Sequence, residues 1–286
     1  MKVDHFFMIG KKHEEKGSPC EDYATSGNIS TSHKYIILSD GCSGAKSRTD
    51  IGARLWTLAL ERSLLNMPSN SIYFSIDFID DLLKEYTSKR VTNNIGDEYA
   101  SLIALIASEN HAQIWIMGDG GYALHLRNGN VILVEYKWEK NKPFYPIYKT
   151  LKYEAYNNLV ENFKGFKNRP VKKIEREFSR TSGTFSVFNN LNMVRENIDY
   201  LSFEDFENGH SLLIDKEKEG VIAISLFTDG LWSVKNKSLN QTLNDVIIKN
   251  VEGEDFLKKS LVEVSSSWNK KGAMPLDDFS MGHLIW

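Results

Sequence analysis

The sequence predicts an α+β fold in which antiparallel sheets carry helices on their outer faces. Two observations point there. From about residue 98 four apolar runs follow one another with only short polar separators, "ENH", "GDG" and "RNGN", which is the signature of a meander. Helical periodicity appears between blocks of strands rather than after every strand, so a doubly wound parallel sheet is excluded.

The elements follow in chain order. "DHFFMIG" and "KYIILS" are short apolar runs of strand length. After "DGCSGAKSRTD", the residues Ile51, Leu55, Leu58, Leu60, Leu64 and Leu65 recur at helical spacing. A second helix is expected in "SIDFIDDLLKEYTSKRV". The meander comprises "EYASLIALIAS", "AQIWIMG", "GYALHLRNG" and "NVILVEYKW", and Asn128-Gly129 marks a hairpin with positive φ at both central positions. Residues 138–215 show little period and read as a peripheral insertion with one or two short helices, then strands around "TFSVFNNL". "VIAISLFTDG" reads as a buried strand, "EDFLKKSLVEVSSSW" as an amphipathic helix and "MGHLIW" as a closing strand. No internal repeat or low-complexity linker divides the chain, so residues 1–286 are expected to form a single domain.

Composition narrows the function classes. The chain has 286 residues, 41% hydrophobic and 26% charged, with a formal net charge of −3. That balance is typical of a folded domain with a real core, and it argues against a broad nucleic-acid surface. The two cysteines, Cys20 and Cys42, are too few for a disulfide framework, and no Cys-x-x-Cys suggests a thiolate zinc site. "MKVDHFFMIGKKHEEKG" is too polar for a signal peptide, and no apolar run reaches membrane-spanning length. A cytoplasmic protein with no membrane partner is expected.

Acidic residues recur where apolar runs stop. Asp40 follows "YIILS", Asp119 follows "IWIMG", Asp229 follows "IAISLFT", and Asp277-Asp278 precede "FSMGHLIW"; Glu21-Asp22 lie in "GSPCEDYA". Taken singly, each Asp-Gly is an ordinary turn pair. Taken together, strand ends converging on one edge would bring mutually repelling carboxylates into one place, and a divalent cation would resolve the conflict. Oxygen ligands without Cys or His suit Mg²⁺ or Mn²⁺. Turns and a metal site both remain open on pattern alone.

The ordered set "HEEKGSPCEDYA", "ILSDGCSG", "IMGDG", "FTDGLW" and "DDFS" resembles the metal-dependent protein serine/threonine phosphatases of the PPM, or type 2C, family, most closely its bacterial branch. The resemblance implies a four-layer α-β-β-α sandwich with a two-metal centre at one end. Asp40 resembles the carboxylate bridging both Mn²⁺ or Mg²⁺ ions, with the Gly41 carbonyl on one of them. Asp229 and Asp277 resemble ligands of the other ion. Asp22, and more weakly Glu21, resemble groups that hold the metals' waters. Asp119 sits where the family often places a third, looser ion. Asp278 is given a supporting role beside the ligand.

The implied reaction is attack of a metal-activated water on phosphoserine or phosphothreonine of a protein, a partner kinase being one candidate substrate. No covalent phosphoenzyme is expected. The pattern also departs from the family. Gly17 replaces a phosphate-binding Arg, Cys42 replaces a His proposed to protonate the leaving group, and Asp119-Gly120-Gly121 replaces Asp-Ser-Arg. His13, Lys46 and Arg48 are candidate replacements for substrate binding, although His13 and Arg48 also read as solvated surface side chains. These departures motivate an alternative, a non-catalytic phosphoprotein-binding module on the same fold. A haloacid-dehalogenase-type site is disfavoured, because Asp40-Gly41-Cys42 lacks the second acid which that chemistry requires.

Overall fold

A computed structural model describes residues 1–42, 49–68, 73–75, 77–90, 95–165, 169–180, 191–246 and 256–286. The first run forms strand β1 (Lys2–Met8), followed by a short helix α1 (Lys11–Lys16) closed by Gly17 in the left-handed region, φ 65°. Strand β2 (Asp22–Asn28) then pairs with β3 (Lys34–Gly41). Nothing local in "DYATSGN" signals β2, because it has little apolar alternation. Its place at a sheet edge suits that composition, since among the described residues only β3 pairs with it.

Helices α2 (Thr49–Leu65) and α3 (Phe78–Lys89) come next. The α2 stripe differs in detail from the expected one. Ala53, Trp56, Ala59, Leu60 and Leu64 are buried, whereas Leu58 and Leu65 are exposed. Trp56 stacks on Tyr86 of α3 with ring centroids 3.6 Å apart, which clamps the two helices together.

The four meander runs become β4 (Ala100–Ala107), β5 (His111–Met117), β6 (Gly120–Leu126) and β7 (Val131–Trp138). They are two hairpins in two different sheets, since β5 pairs with β4 and β6 pairs with β7. The Gly118-Asp119 link carries the chain from one sheet to the other. Both flanking glycines have positive φ, 109° and 125°, and a Cβ on them would fall 2.4 Å from Ser101 Cβ and 2.3 Å from Ile103 Cδ1. The crossing therefore needs glycine on each side of Asp119. At the Asn128-Gly129 turn only Gly129 has positive φ (89°); Asn128 instead accepts the Asn130 N–H at 2.9 Å through its side chain.

Residues 138–215 form α4 (Tyr153–Gly165), β8 (Val171–Arg180), β9 (Leu191–Leu201) and β10 (His210–Asp215). These strands extend the edges of both sheets. Most of "TFSVFNNL" lies outside the described residues. The chain ends through the short α5 (Lys216–Glu219), then β11 (Val221–Phe227), α6 (Leu239–Val246), α7 (Phe256–Lys270) and β12 (Phe279–Ile285).

Among the described residues the result is a seven-stranded sheet, β1-β12-β11-β6-β7-β8-β9, facing a five-stranded sheet, β10-β5-β4-β3-β2, with all pairings antiparallel. Helices α2 and α3 cover the smaller sheet, and α6 and α7 cover the larger. One core lies between the sheets and beneath α2 and α3; a second, built on Phe227, Phe279, Leu261 and Trp268, lies beneath α6 and α7. The sheets approach closely at Gly282, where a Cβ would fall 2.2 Å from Ile36 of the opposite sheet. Trp56 and Trp115 are buried in the first core, and Trp232 packs at the edge of the second. Among the described residues no helix is long and apolar enough to cross a membrane.

Candidate active site

Antiparallel register brings the first two carboxylates together. Asp22 opens β2 directly opposite Asp40 near the end of β3. Asp229 follows β11, Asp277-Asp278 precede β12, and Asp119 sits on the link between the sheets. All lie at one end of the sandwich. Asp40 faces Asp22 across the β2–β3 register, and its carboxylate interacts with those of Asp22 and Asp229. Asp119 acts on Asp40, Asp229 acts on Asp119, and Asp277 adjoins Asp229.

Burial is the first cause of the strong electrostatics here. It raises Asp22 and Asp40 well above the ordinary carboxylate range, and their acidic neighbours add to the effect. Burial with Asp229 pushes Asp119 up to about 7, and burial with Asp277 pushes Asp229 up to about 6. Among the described residues, the cations that reach the cluster stand at its margin. Lys12 Nζ is 3.9 Å from Asp277, and Lys137 lowers Asp229 from a distance.

The supports are specific. Thr228 donates from Oγ1 to Asp22 Oδ2 at 2.7 Å and accepts the Ser280 N–H at 2.8 Å. Asp278, 3% exposed, gathers three segments: it accepts from Gly10 N–H at 2.6 Å and from Glu21 N–H, and bonds His13 Nδ1 at 2.9 Å. The Glu21 carbonyl in turn accepts the Gly41 N–H at 3.1 Å. Ser233 accepts the Asp277 N–H at 3.2 Å. Tyr145 lies beside Cys42, Asp40 and Asp119, and burial first, then the carboxylates, pushes its hydroxyl far up.

The sequence-selected residues are placed as follows. Asp22, Asp40, Asp119 and Asp229 form one cluster, with Asp277 on its rim. Glu21 is buried, and its carboxylate lies 3.8 Å from His13 Nε2. Gly41 ends β3 beside Ala100. Asp40-Gly41 lies within β3 rather than in a turn, whereas Asp229-Gly230 opens a 3₁₀ turn (Asp229–Ser233) in which Gly230 lacks positive φ. A Cβ on Gly230 would meet the Asp278 carbonyl at 1.8 Å, which shows how closely the Asp229 and Asp277 segments approach. His13 is only 5% exposed, which corrects its reading as a solvated surface residue: helix amphipathicity turns it inward onto Asp278. Lys46 and Arg48 lie outside the described residues. Thr228, Ser233, Tyr145 and Gly10 were missed. Thr228 precedes Asp229 inside a quoted motif, but nothing local signals that its hydroxyl reaches another strand.

Among the described residues no three His, Cys, Asp or Glu side chains already converge as a finished ligand set. The donor set nevertheless fits a hard dication. It is all oxygen, and among the described residues Asp22 Oδ1 is buried with no hydrogen-bond partner.

This arrangement, two antiparallel sheets between helices with a carboxylate cluster at one end, defines a class of phosphatase-like sandwich. The family model described as Protein phosphatase 2C matches residues 9–266, and the chain belongs to that family. In structure the chain is similar to the serine/threonine phosphatase Stp1 from Staphylococcus aureus, with a TM-score of 0.57 and 12% identity, covering 100% of this chain and 95% of that one. It is also similar to a bacterial serine phosphatase (TM-score 0.54, 13% identity, coverage 100% and 97%). A third similar structure is the S. agalactiae serine/threonine phosphatase (TM-score 0.50, 12% identity, coverage 100% and 99%). At these identities the likeness bears on the fold alone. No curated protein matches the chain in sequence.

Proposed function

We propose that the chain hydrolyses phosphoserine and phosphothreonine on proteins at this cluster, with Mn²⁺ or Mg²⁺ held by Asp40, the Gly41 carbonyl, Asp229 and Asp277. Asp22 and Glu21 would hold the ions' waters, and Asp119 a third, looser ion. The observation that carries the reading is a buried carboxylate cluster in which Asp40, opposite Asp22 on the paired strand, also interacts with Asp229 from the other sheet. When bound, paired dications make hydroxide available near neutral pH and offset charge on the phosphoryl oxygens. The chain's own residues supply the order. Thr228 fixes one face of Asp22 while leaving its other oxygen open. Asp278 ties α1, the approach to β2 and the start of β12 into one floor, and His13 braces that carboxylate. Because these donors are already bonded, little reorganisation is left for the moment of reaction.

The test is hydrolysis of p-nitrophenyl phosphate and a phosphothreonine peptide with Mn²⁺, with chelator, and by Asp40→Asn. Both perturbations should abolish turnover; activity indifferent to them would refute the mechanism. One observation favours the binding-module alternative. Gly17, at the position of the family's phosphate-binding Arg, serves instead as the left-handed cap of α1. Calorimetry separates the readings, since a module would bind Mn²⁺ and phosphopeptide without product formation.

A further inference from the structure

A groove of about 920 Å³ opens where the end of β7, the start of β8 and the end of β9 meet. Its walls include Lys137, Trp138, Arg169, Lys172 and Tyr200, with Glu139 as the acid among the lining residues. In register Lys137 is opposite Lys172, and Lys172 is opposite Tyr200, so one row across three strands sets two lysines directly opposite each other. Like charges directly opposed on a sheet are destabilising. Elsewhere on these strands cations are matched: Lys173 lies 3.2 Å from Glu175, and Arg176 bonds Glu135 and Glu196. Lys137 itself is held 2.8 Å from Glu135. Among the described residues Arg169 and Lys172 form no ion pair.

The groove adjoins the carboxylate cluster. Trp138, one of its walls, donates its indole N–H to the Gly118 carbonyl at 2.7 Å, one residue before Asp119. Gly120 pairs with Tyr136, so Asp119 and Lys137 lie at the same end of the β6–β7 pair. We infer that this groove binds an acidic stretch of the phosphoprotein substrate flanking the phosphorylated residue. The inference rests on the phosphatase reading above. An anionic segment would relieve the Lys137–Lys172 opposition, pair Arg169 and lie against Tyr200. It would also supply substrate affinity that Gly17 cannot. The net charge of −3 and the three cations among the groove's lining residues favour a peptide over nucleic acid.

The test compares two phosphothreonine peptides, one with Asp/Glu flanks and one with Ala flanks, on the wild type and on the Arg169→Ala/Lys172→Ala double variant. The wild type should prefer the acidic peptide through KM, with that KM rising with salt. The double variant should lose about tenfold of the preference, two charge contacts of about 0.7 kcal/mol each. An unchanged ratio overturns the inference. If the wild type turns over neither peptide nor p-nitrophenyl phosphate, the phosphatase reading fails on its own. The groove is then read by anisotropy of the labelled acidic peptide: weaker binding to the double variant supports it, and equal binding overturns it. Equal or tighter binding of a single-stranded oligonucleotide would also overturn the peptide assignment. Arg169→Gln/Lys172→Gln, checked by thermal melting, serves if the Ala variant misfolds.

Discussion

Asp278 is the residue whose removal should do most to the architecture of the site while touching none of the proposed ions. It accepts from Gly10 N–H at 2.6 Å and from Glu21 N–H, and bonds His13 Nδ1 at 2.9 Å, all in buried surroundings. Hydrogen bonds to a charged group contribute about 1.5–3 kcal/mol each, and an orphaned buried N–H costs about as much as the bond it lost. Three such bonds, taken at the low end of that range, set a gross loss near 5 kcal/mol for Asp278→Ala. Removing a carboxylate that raises Asp22 relieves some repulsion, returning about 1–2 kcal/mol at the effective dielectric of such sites. A net loss of about 3–4 kcal/mol is expected. Asp278→Asn keeps one acceptor oxygen but turns an N–H₂ toward a donor, so it should lose about half as much. Urea unfolding followed by circular dichroism measures both. A loss under about 0.5 kcal/mol for the Ala variant, the usual range for inconsequential surface changes, would refute the idea that Asp278 holds three segments together.

Gly230→Ala should destabilise by about 2–3 kcal/mol and lower phosphatase activity together, because the Asp278 carbonyl 1.8 Å from the new Cβ is backbone and cannot swing aside; a thermal melt coinciding with the wild type would contradict this. His283 offers a pH test. Burial holds it neutral, with its pKa lowered from 6.5 to about 4, between Ser225 Oγ at 2.7 Å, the His125 ring and Phe256. The unfolded chain binds the proton first, so this contribution is fully present above about pH 6.5 and is lost as pH falls toward 4, by roughly 3 kcal/mol in all. The raised carboxylates act in the opposite direction, so the readout is the difference between wild type and His283→Gln in urea midpoint from pH 7.5 to 5. Parallel pH profiles for the two would sink the assignment.

How much of this was legible beforehand depends on the range of each interaction. The buried strands β3, β4, β5 and β11 and the helix α7 announce themselves because their apolar periods are local. β2 does not, because an edge strand of small polar residues owes its conformation to its neighbour β3. The hairpin runs were visible, but their division between two sheets was not, since that depends on the backbone at Gly118 and Gly120 and on what packs against it. Among the candidate residues, carboxylates at strand ends could be picked out because charge interrupting an apolar run is a one-dimensional signal. That His13 turns inward could not be, since it depends on Asp278 arriving from the far end of the chain.

The sequence by itself determined which side chains carry charge, where strands stop, and the order of motifs that places the chain in its family. Only the tertiary structure decided that Asp22 faces Asp40, that Thr228 reaches Asp22, and that Lys137 and Lys172 share a row with Tyr200. The physical reason is that hydrogen bonds and charge repulsion act over a few ångströms of space. Which groups come that close is set by register and by the packing of one sheet on the other.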